Sequence, residues 1–345
     1  MKKLKLLLLT IVLPALAVSV WGFITLSDHR PNGFSRKFVN GIKLINEVKY
    51  YSHFSGIAGM TDHSIYLKGN TPHLIYAVNT DLGNLKSIVI TNGTNSRLSS
   101  NFDIEVDSPN YRLYAGNLLS VQTGDLNNKE QEKRVLSTKF YTNATMLPSG
   151  SFLIRPYEHA VKDFILKKTD KNGIAMATEK HPILKHDMGF STQATLLYNK
   201  RKHQVILIYK LLNKIVCLDT NLNTVYVAST LDTIQSTNLN YTVTKHGRSK
   251  TGTIVSAPRY TNYRSCLDDD NLYVYSMLKA DNEPFPNAPA IDVYSAVDGS
   301  YRYSFKLPNS DGKKLSDFKV RNRKLIAVYK TLGVVKCYQL HKIKS

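Results

Sequence analysis

Short apolar runs separated by turn residues recur along most of the chain. The clearest example is 289–308, where alternating apolar residues lie on both sides of Asp298-Gly299. An Asp-Gly pair tolerates the positive φ of a tight turn, so this stretch predicts a β-hairpin. Helical periodicity is nearly absent, and only the charged stretch 127–135 is compatible with one helical turn. The pattern therefore predicts an all-β protein.

The hairpin is repeated along the chain. An apolar strand meets a turn near positions 79, 122, 168, 219, 295 and 339, which gives steps of 43, 46, 51, 76 and 44 residues. In five units an aromatic residue or Leu followed by Ser or Thr precedes an earlier strand. Units of about 45 residues with four strands are typical of propeller blades. The sequence predicts six blades with strands a to d, and because only five residues follow Leu340, we expect 41–50 to supply the last strand and close the ring.

Several stretches look like those of known propellers. They are FSRKFVNGIKLINEV at 34–48, DNLYVYS at 270–276, AIDVYSAVDGSYRYSFKLP at 290–308 and SDFKVRN at 316–322. In these stretches the chain resembles six-bladed β-propellers of the TolB-like and NHL-like groups, and it is most similar to membrane-targeted propeller proteins of Gram-negative bacterial envelopes. The resemblance spans about residues 40 to 340. It implies the fold, and no established activity accompanies it.

The first thirty residues predict the compartment. Lys2, Lys3 and Lys5 precede 21 uncharged residues at 6–26, which as a helix would be about 31 Å long, close to the thickness of a bilayer core. We therefore expect 1–27 to be a signal-anchor in the inner membrane, with the propeller in the periplasm. The small residues at 15–17 leave open a signal peptide that is cleaved to release a periplasmic protein. Residues 28–40 are then a linker, and 41–345 form a monomeric propeller.

The charge of the chain restricts the partners. The formal net charge is +20, and such a field attracts anionic partners. Nucleic acid is not expected, since the propeller is outside the cytoplasm and contains no pattern of an RNA- or DNA-binding module. The expected partners are an envelope protein, an anionic glycan or a lipid head group. The longest step in the repeat contains an insertion at 231–258, which we expect to be a basic loop in which only 240–244 could add a strand.

Stretches that could suggest phosphate or metal binding, at 247–253, 181–187 and 268–271, are better explained as loops and turns, so no catalytic residue, metal ligand or cofactor is predicted. The three cysteines are far apart in sequence, which favours buried free thiols. Two functions remain open. The first is a binding or scaffold propeller, and the alternative is an enzyme similar to lactonases or lyases, with a metal on the axis. The metal would need several converging carboxylates, but only Asp103 and Asp317 lie at the expected starts of the a strands.

The candidate site is the mouth of the central channel. Loops that enter strand a and loops that join strand b to strand c belong to one face, so their polar residues should form a ring there. The predicted binding residues are Arg264, Asn262, Gln193, Asn143 and Asp317. Arg264 is the centre of the prediction, because a guanidinium can bind an anion through two hydrogen bonds. The proline-containing loop 279–289 is expected to wall the mouth beside it.

Overall fold

The structure, a computed structural model, describes residues 32–90, 102–128, 130–237, 239–246, 249–283, 288–310, 312–329 and 333–341. The predicted membrane segment 1–27 lies outside these residues. Within the described part, no helix is long and apolar enough to span a membrane. Apart from one short 3₁₀ turn at Gly116–Leu118, the regular elements there are β-strands.

Six antiparallel sheets with four main strands each surround a central axis, which confirms the six-bladed propeller. Blade 1 contains β2 (Gly56–Met60), β3 (Ser64–Lys68), β4 (Leu74–Asn79) and β5 (Lys86–Val89). Blade 2 contains β6 (Phe102–Asp107), β7 (Asn110–Ala115), β8 (Ser120–Asp125) and β9 (Gln131–Val135). Blade 3 contains β10 (Tyr141–Met146), β11 (Phe152–Glu158), β13 (Lys167–Thr169) and β14 (Ala175–Thr178), with the short β12 (Asp163–Phe164) paired to β11.

The second half of the ring has the same strand order. Blade 4 contains β15 (Ala194–Asn199), β16 (Gln204–Tyr209), β17 (Lys214–Asp219) and β18 (Thr224–Ser229). Blade 5 contains β21 (Asn262–Asp268), β22 (Asn271–Ser276), β23 (Ala290–Ser295) and β24 (Tyr301–Lys306). Blade 6 contains β25 (Leu315–Arg321), β26 (Lys324–Tyr329), β27 (Val334–Leu340) and β1 (Ile42–Lys49). All six turn positions of the sequence repeat fall in the third strand of a blade, as expected.

Burial explains why the middle strands are continuous apolar runs. Strand b of blade 4, β16, is buried at every position after the first, because each blade is packed between two others. Its outer strand β18 alternates between exposed and half-buried residues. The a strands contact one another around the axis, β21 against β25, β25 against β2 and β2 against β6. Strand a is therefore the innermost strand, and its polar residues lie beside the channel.

The core is divided into clusters that lie between adjacent blades. One apolar cluster fills each of the six blade interfaces, including the interface between blades 6 and 1, where Ile326 and Val328 pack with Ile57 and Ile65. The three cysteines, Cys217, Cys266 and Cys337, are buried free thiols in these clusters, as the sequence predicts. A ring with six interfaces has no terminal blade face exposed to water.

The first and last strands of the propeller are paired. The segment expected to supply the last strand contains β1, which pairs antiparallel with β27 from Ile42 opposite Leu340 to Lys49 opposite Val334. The register shifts once, between Leu44 and Asn46. Blade 6 is thus built from both ends of the propeller sequence.

Two local expectations are wrong. The stretch 127–135, considered as one helical turn, contains the outer strand β9, whose Val135 pairs with Ser120. Charged residues suit this position because β9 is an edge strand. The insertion 231–258, expected to be a loop, contains a hairpin of β19 (Tyr241–His246) and β20 (Ser249–Ile254). The stretch 240–244, the one part of the insertion that the sequence allows as a strand, overlaps β19, whereas its partner β20 was not expected.

The two faces of the ring follow from the strand order. We name the entry face after the loops that enter each a strand, and it also bears the loops that join b to c. The exit face bears the a-to-b and c-to-d turns. The hairpin of β19 and β20 belongs to the entry face, since it lies between strand d of blade 4 and strand a of blade 5.

Candidate functional site at the entry mouth

Arg264 and Asp317 come together where the a strands of blades 5 and 6 begin. The Nε of Arg264 donates a hydrogen bond to the Ser316 carbonyl at 3.2 Å and lies 3.9 Å from Oδ1 of Asp317. The guanidinium also lies over the Tyr263 ring, 4.8 Å from its centroid. The side chain of Arg264 is 37% exposed, so water reaches it. The structure thus brings together two of the five predicted residues as a partly exposed charged pair.

Asp317 also connects the last blade to the first. Its Oδ2 accepts a hydrogen bond from the Ile57 N–H at 2.8 Å, and its Oδ1 accepts one from the Phe318 N–H at 3.0 Å. Gly56 makes this approach possible, because a Cβ at that position would lie 2.7 Å from Oδ2 of Asp317. The carboxylate is therefore held at the seam of the ring while it faces Arg264.

The other three predicted residues have different surroundings. Asn262 is buried, and its amide donates to the carbonyls of Tyr209 and Leu212 at 2.9 and 3.2 Å, so it ties blade 5 to blade 4. Gln193 is half-buried, and its carbonyl accepts a hydrogen bond from the N–H of Lys210. Asn143 is half-buried and accepts a hydrogen bond from the Thr142 hydroxyl at 3.2 Å. The Asn262 amide therefore has a structural role in the rim.

Sequence reasoning missed two lysines at the same mouth. Lys68 ends strand b of blade 1 and forms an ion pair with Asp103, which starts the a strand of blade 2. Lys210 directly follows strand b of blade 4. The predicted binding residues all lie near the starts of a strands, whereas these lysines lie at the ends of b strands, which reach the same face. A lysine at the end of an apolar strand does not by itself mark the mouth.

The charges at the mouth act on one another. Burial disfavours the ammonium of Lys68, but the Asp103 and Asp317 carboxylates hold its pKa above the ordinary value. Burial also opposes the charge of Asp103, yet Lys68 and Lys319 keep the pKa of Asp103 below its ordinary value. Lys68, Asp103 and Asp317 thus form one electrostatic group, although they come from three blades.

Lys210 has a different electrostatic environment. Burial and the positive charge of Arg264 lower its pKa, and the Asp103 carboxylate only partly compensates. Among the described residues, none places a carboxylate within ion-pair distance of the Lys210 amine. Lys68, Lys210 and Arg264 therefore outnumber Asp103 and Asp317 at the mouth. The mouth carries an excess of positive charge.

A buried network supports the rim on the side of blade 3. Arg155 is 1% exposed and donates to the carbonyls of Thr192 and Phe164 at 3.1 and 3.2 Å. Asp163, which is fully buried, accepts hydrogen bonds from the Thr192 hydroxyl and from the Lys185 N–H. These bonds fix the two entry-face loops of blades 3 and 4 against each other. The rim beside Lys210 is thereby held in place.

The hairpin of the insertion and the loop 279–289 both lie near this rim. The Tyr241 ring packs on Phe190 at 5.4 Å, and the Ser191 hydroxyl contacts that of Thr237. In the loop 279–289, the described residues Asp281, Asn282 and Glu283 bind the N-terminal segment instead of facing Arg264. The described part of this loop therefore anchors the N-terminal segment.

The exit mouth contains paired charges. Lys200 in blade 4 lies 2.7 Å from Asp107 in blade 2, and Arg321 in blade 6 lies 2.8 Å from Asp62 in blade 1. The carboxylate of Asp62 also accepts a hydrogen bond from the Asn322 amide at 2.7 Å. The two mouths therefore differ, since the excess of cations is at the entry mouth. In the described part of the chain, no three His, Cys, Asp or Glu side chains form a group that could hold a metal ion.

Comparison with known proteins shows the fold. No protein-family model matches the chain, and no curated protein matches its sequence. A DUF4221 family member from Bacteroides vulgatus is 12% identical, with a TM-score of 0.55 over 89% of this chain and 99% of the other. A catalytically inactive virginiamycin B lyase from Staphylococcus aureus, solved with quinupristin, is 9% identical, with a TM-score of 0.51 over 87% and 99%. A protein of unknown function from Bacteroides thetaiotaomicron is 9% identical, with a TM-score of 0.51 over 88% and 73%. At these identities the likeness is one of fold alone.

Proposed function

We propose that this protein is a non-catalytic binding propeller of the bacterial cell envelope, which holds an anionic ligand at its entry mouth. In this proposal, residues 1–27 anchor the chain in the inner membrane and the propeller lies in the periplasm; cleavage of that segment would instead release a periplasmic protein. The observation that carries the proposal is the excess of cations at the mouth, where Lys68, Lys210 and Arg264 face Asp103 and Asp317.

Arg264 and Lys210 provide complementary contacts for an anion. Within the described residues, Arg264 uses its Nε for the Ser316 carbonyl, while no partner is found for its two terminal nitrogens. Those nitrogens can donate a forked pair of hydrogen bonds to a carboxylate or a phosphate. The positive charge of Arg264 lowers the pKa of Lys210, so the two cations repel each other. An anion bound between them would reduce this repulsion. The ligand is therefore a carboxylate- or phosphate-bearing group of a protein, a glycan or a lipid.

Binding of two simple probes to the full-length chain tests the mouth. Inorganic pyrophosphate represents phosphates and oligogalacturonate represents carboxylates, and each is titrated calorimetrically at low and high salt. We expect at least one probe to bind, and Arg264→Ala to weaken it by about 10- to 100-fold, the effect of one lost charged hydrogen bond of about 1.5 to 3 kcal/mol. Lys133→Ala is the matched control, since Lys133 is exposed on the outer strand β9.

Two results would contradict this proposal. One is that neither probe binds the wild-type chain at low salt. The other is that Arg264→Ala leaves the affinity unchanged while deletion of 241–254, the hairpin of the insertion, abolishes it. The second result would transfer the binding site from the mouth to the insertion.

An enzyme with an axial site is the second candidate, and one observation favours it. Burial and Arg264 lower the pKa of the Lys210 amine, and a lysine with a lowered pKa gives up its proton more readily, which suits a general base. The likeness to virginiamycin B lyase is compatible with this candidate, although it extends to the fold alone. Metal analysis of the purified full-length chain separates the two candidates, since a stoichiometric bound cation would favour the enzyme.

A further inference from the structure

The described chain begins at the entry face. The N–H groups of Asn32 and Gly33 donate to the Asp281 carboxylate at 2.6 and 2.9 Å, and Asp281 lies in the b-to-c loop of blade 5. The Asn32 carbonyl accepts a hydrogen bond from the Thr233 hydroxyl, and its side-chain oxygen accepts one from Arg259. Thr233 and Arg259 both lie in the loop that enters blade 5. These entry-face contacts therefore fix the point at which the N-terminal segment reaches the ring.

The N-terminal segment is held firmly in place after that point. Arg36 is buried and donates to both carboxylate oxygens of Asp292, at 2.7 and 3.1 Å, and it also forms an ion pair with Glu283. Phe34 packs with Leu278 and Ala280 on the same loop. The segment 32–39 is thus part of the folded domain.

Chain length then restricts how far the ring can lie from a bilayer. Only the five residues 27–31 separate the uncharged run 6–26 from Asn32. Six residue steps can span at most about 20 Å. If 6–26 spans the inner membrane, the entry face beside blade 5 lies within that distance of the membrane surface.

The entry face is more positively charged than the exit face, as expected for the face that lies beside an anionic membrane. Exposed or half-exposed cations of the described entry-face loops include Lys162, Lys185, Lys313 and Lys314, and no ion pair of the described residues contains them. The accessible acidic residues of those described loops are Asp187 and Asp281, and both accept backbone hydrogen bonds. The described exit-face loops carry acidic residues at 62, 81, 130, 170, 269, 270 and 298 and exposed cations at 171, 200, 201, 202 and 323, so acidic residues outnumber cations there.

The entry face also exposes apolar side chains. Tyr51 is fully exposed in the loop that enters blade 1, and Val255 and Met277 are exposed in entry-face loops of blade 5. Amphipathic aromatic rings are favoured at the level of lipid head groups. A face that carries both lysines and exposed apolar residues has the composition expected of a surface that contacts an anionic bilayer.

We propose that the propeller docks with its entry face on the anionic phospholipid surface of the membrane that holds its N-terminal segment. The proposal rests on the membrane anchor of the proposed function, and it names the partner of the entry face. Docking places the cationic mouth toward phosphate head groups, and it leaves the exit face, with its paired charges, toward the periplasm.

Energy transfer in nanodiscs tests the orientation. The full-length chain is labelled at Thr138→Cys on the entry face or at Asn172→Cys on the exit face, both exposed positions. The three native cysteines are buried, so a maleimide dye reacts with the introduced thiol. The acceptor is placed on the head groups of discs that contain phosphatidylglycerol. The entry-face label should then lie nearer to the acceptor than the exit-face label does, by roughly 20 Å, the length of a six-residue strand.

A pair of matched variants tests the role of charge. The first variant replaces four entry-face lysines by Ala together: Lys162, Lys185, Lys313 and Lys314. It should reduce the difference in energy transfer between the two labels to that seen in phosphatidylcholine discs. The control replaces Lys43, Lys86, Lys133 and Lys171, four exposed lysines of the outer strands and the exit face, and should leave the difference unchanged.

The possible outcomes separate this inference from the proposed function. Equal transfer from the two labels, or equal effects of the two variants, overturns the docking. A chain that does not enter nanodiscs overturns the anchor and the docking together. Failure of the mouth to bind pyrophosphate contradicts the anion site alone, because the orientation measurement does not depend on it.

Discussion

Arg264 and Asp317 lie 3.9 Å apart, and the same Asp317 carboxylate accepts the N–H of Ile57 from the first blade. One side chain therefore contacts the seam of the ring and the cation of the candidate site. In the proposed function, the affinity of the mouth for an anion and the stability of the ring therefore depend on the same carboxylate.

Replacement of Asp317 should separate these two effects. In Asp317→Asn the side-chain oxygen can still accept the Ile57 N–H, while the negative charge beside Arg264 is lost. We expect pyrophosphate to bind a few-fold more tightly, since a partly exposed ion pair contributes about 1 kcal/mol or less. Asp317→Ala should in addition destabilise the chain by about 1 to 3 kcal/mol, because the N–H loses its partner. Calorimetry and urea unfolding measure the two effects, and weaker binding by Asp317→Asn would contradict the assigned role.

Arg36 should be essential for stability. Arg36→Ala leaves the buried carboxylate of Asp292 without its cation and leaves Glu283 with Lys306 alone, which should cost about 3 to 5 kcal/mol. Arg134→Ala is the control, because its pair with Glu132 is partly exposed and should contribute about 0 to 1 kcal/mol. Urea unfolding of the full-length chain measures both variants. Equal stabilities of the two variants would show that 32–39 is not an integral part of the fold.

Deletion of 41–50 should destabilise the whole ring. It removes β1 and leaves the edge of β27 unpaired, which exposes a strand edge and part of the core of blade 6. We expect a clearly lower Tm, or aggregation. Deletion of 241–254 is a matched control, since that hairpin lies outside the blades and the Val255 N–H already donates to the Asn240 carbonyl across its base. An unchanged Tm after deletion of 41–50 would exclude a structural role for the closure.

Asp298 in the Asp-Gly turn should titrate well below the ordinary range of an aspartate. The Ser300 N–H and hydroxyl donate to its carboxylate and lower its pKa to about 2. Because the pKa is lower in the folded chain, the ionised carboxylate stabilises the fold at pH values above 3.8, its ordinary pKa. That contribution is lost as the pH falls toward about 2. Carboxyl NMR should show the low midpoint, and Ser300→Ala should raise it. A midpoint at the ordinary value in the wild-type chain would contradict the assignment.

Part of the candidate site was accessible from the sequence. Arg264 and Asp317 were found because the starts of a strands are marked by a repeated local pattern. Lys68 and Lys210 were missed, since a lysine at the end of an apolar strand has no local feature that distinguishes the mouth from the outer surface. Asn262 was predicted as a ligand-binding residue of the rim, and its hydrogen bonds to blade 4 could not be anticipated from blade 5 alone.

The sequence by itself determined the all-β class and the six units, because strand alternation and turn residues act over fewer than ten neighbouring positions. Only the tertiary structure decided which charges meet. Arg36 donates a hydrogen bond to Asp292, which is 256 positions away in the sequence, and Asp317 accepts one from Ile57, which is 260 positions away. Such contacts depend on the closure of a ring, in which residues distant along the chain become neighbours at the axis and at the seam.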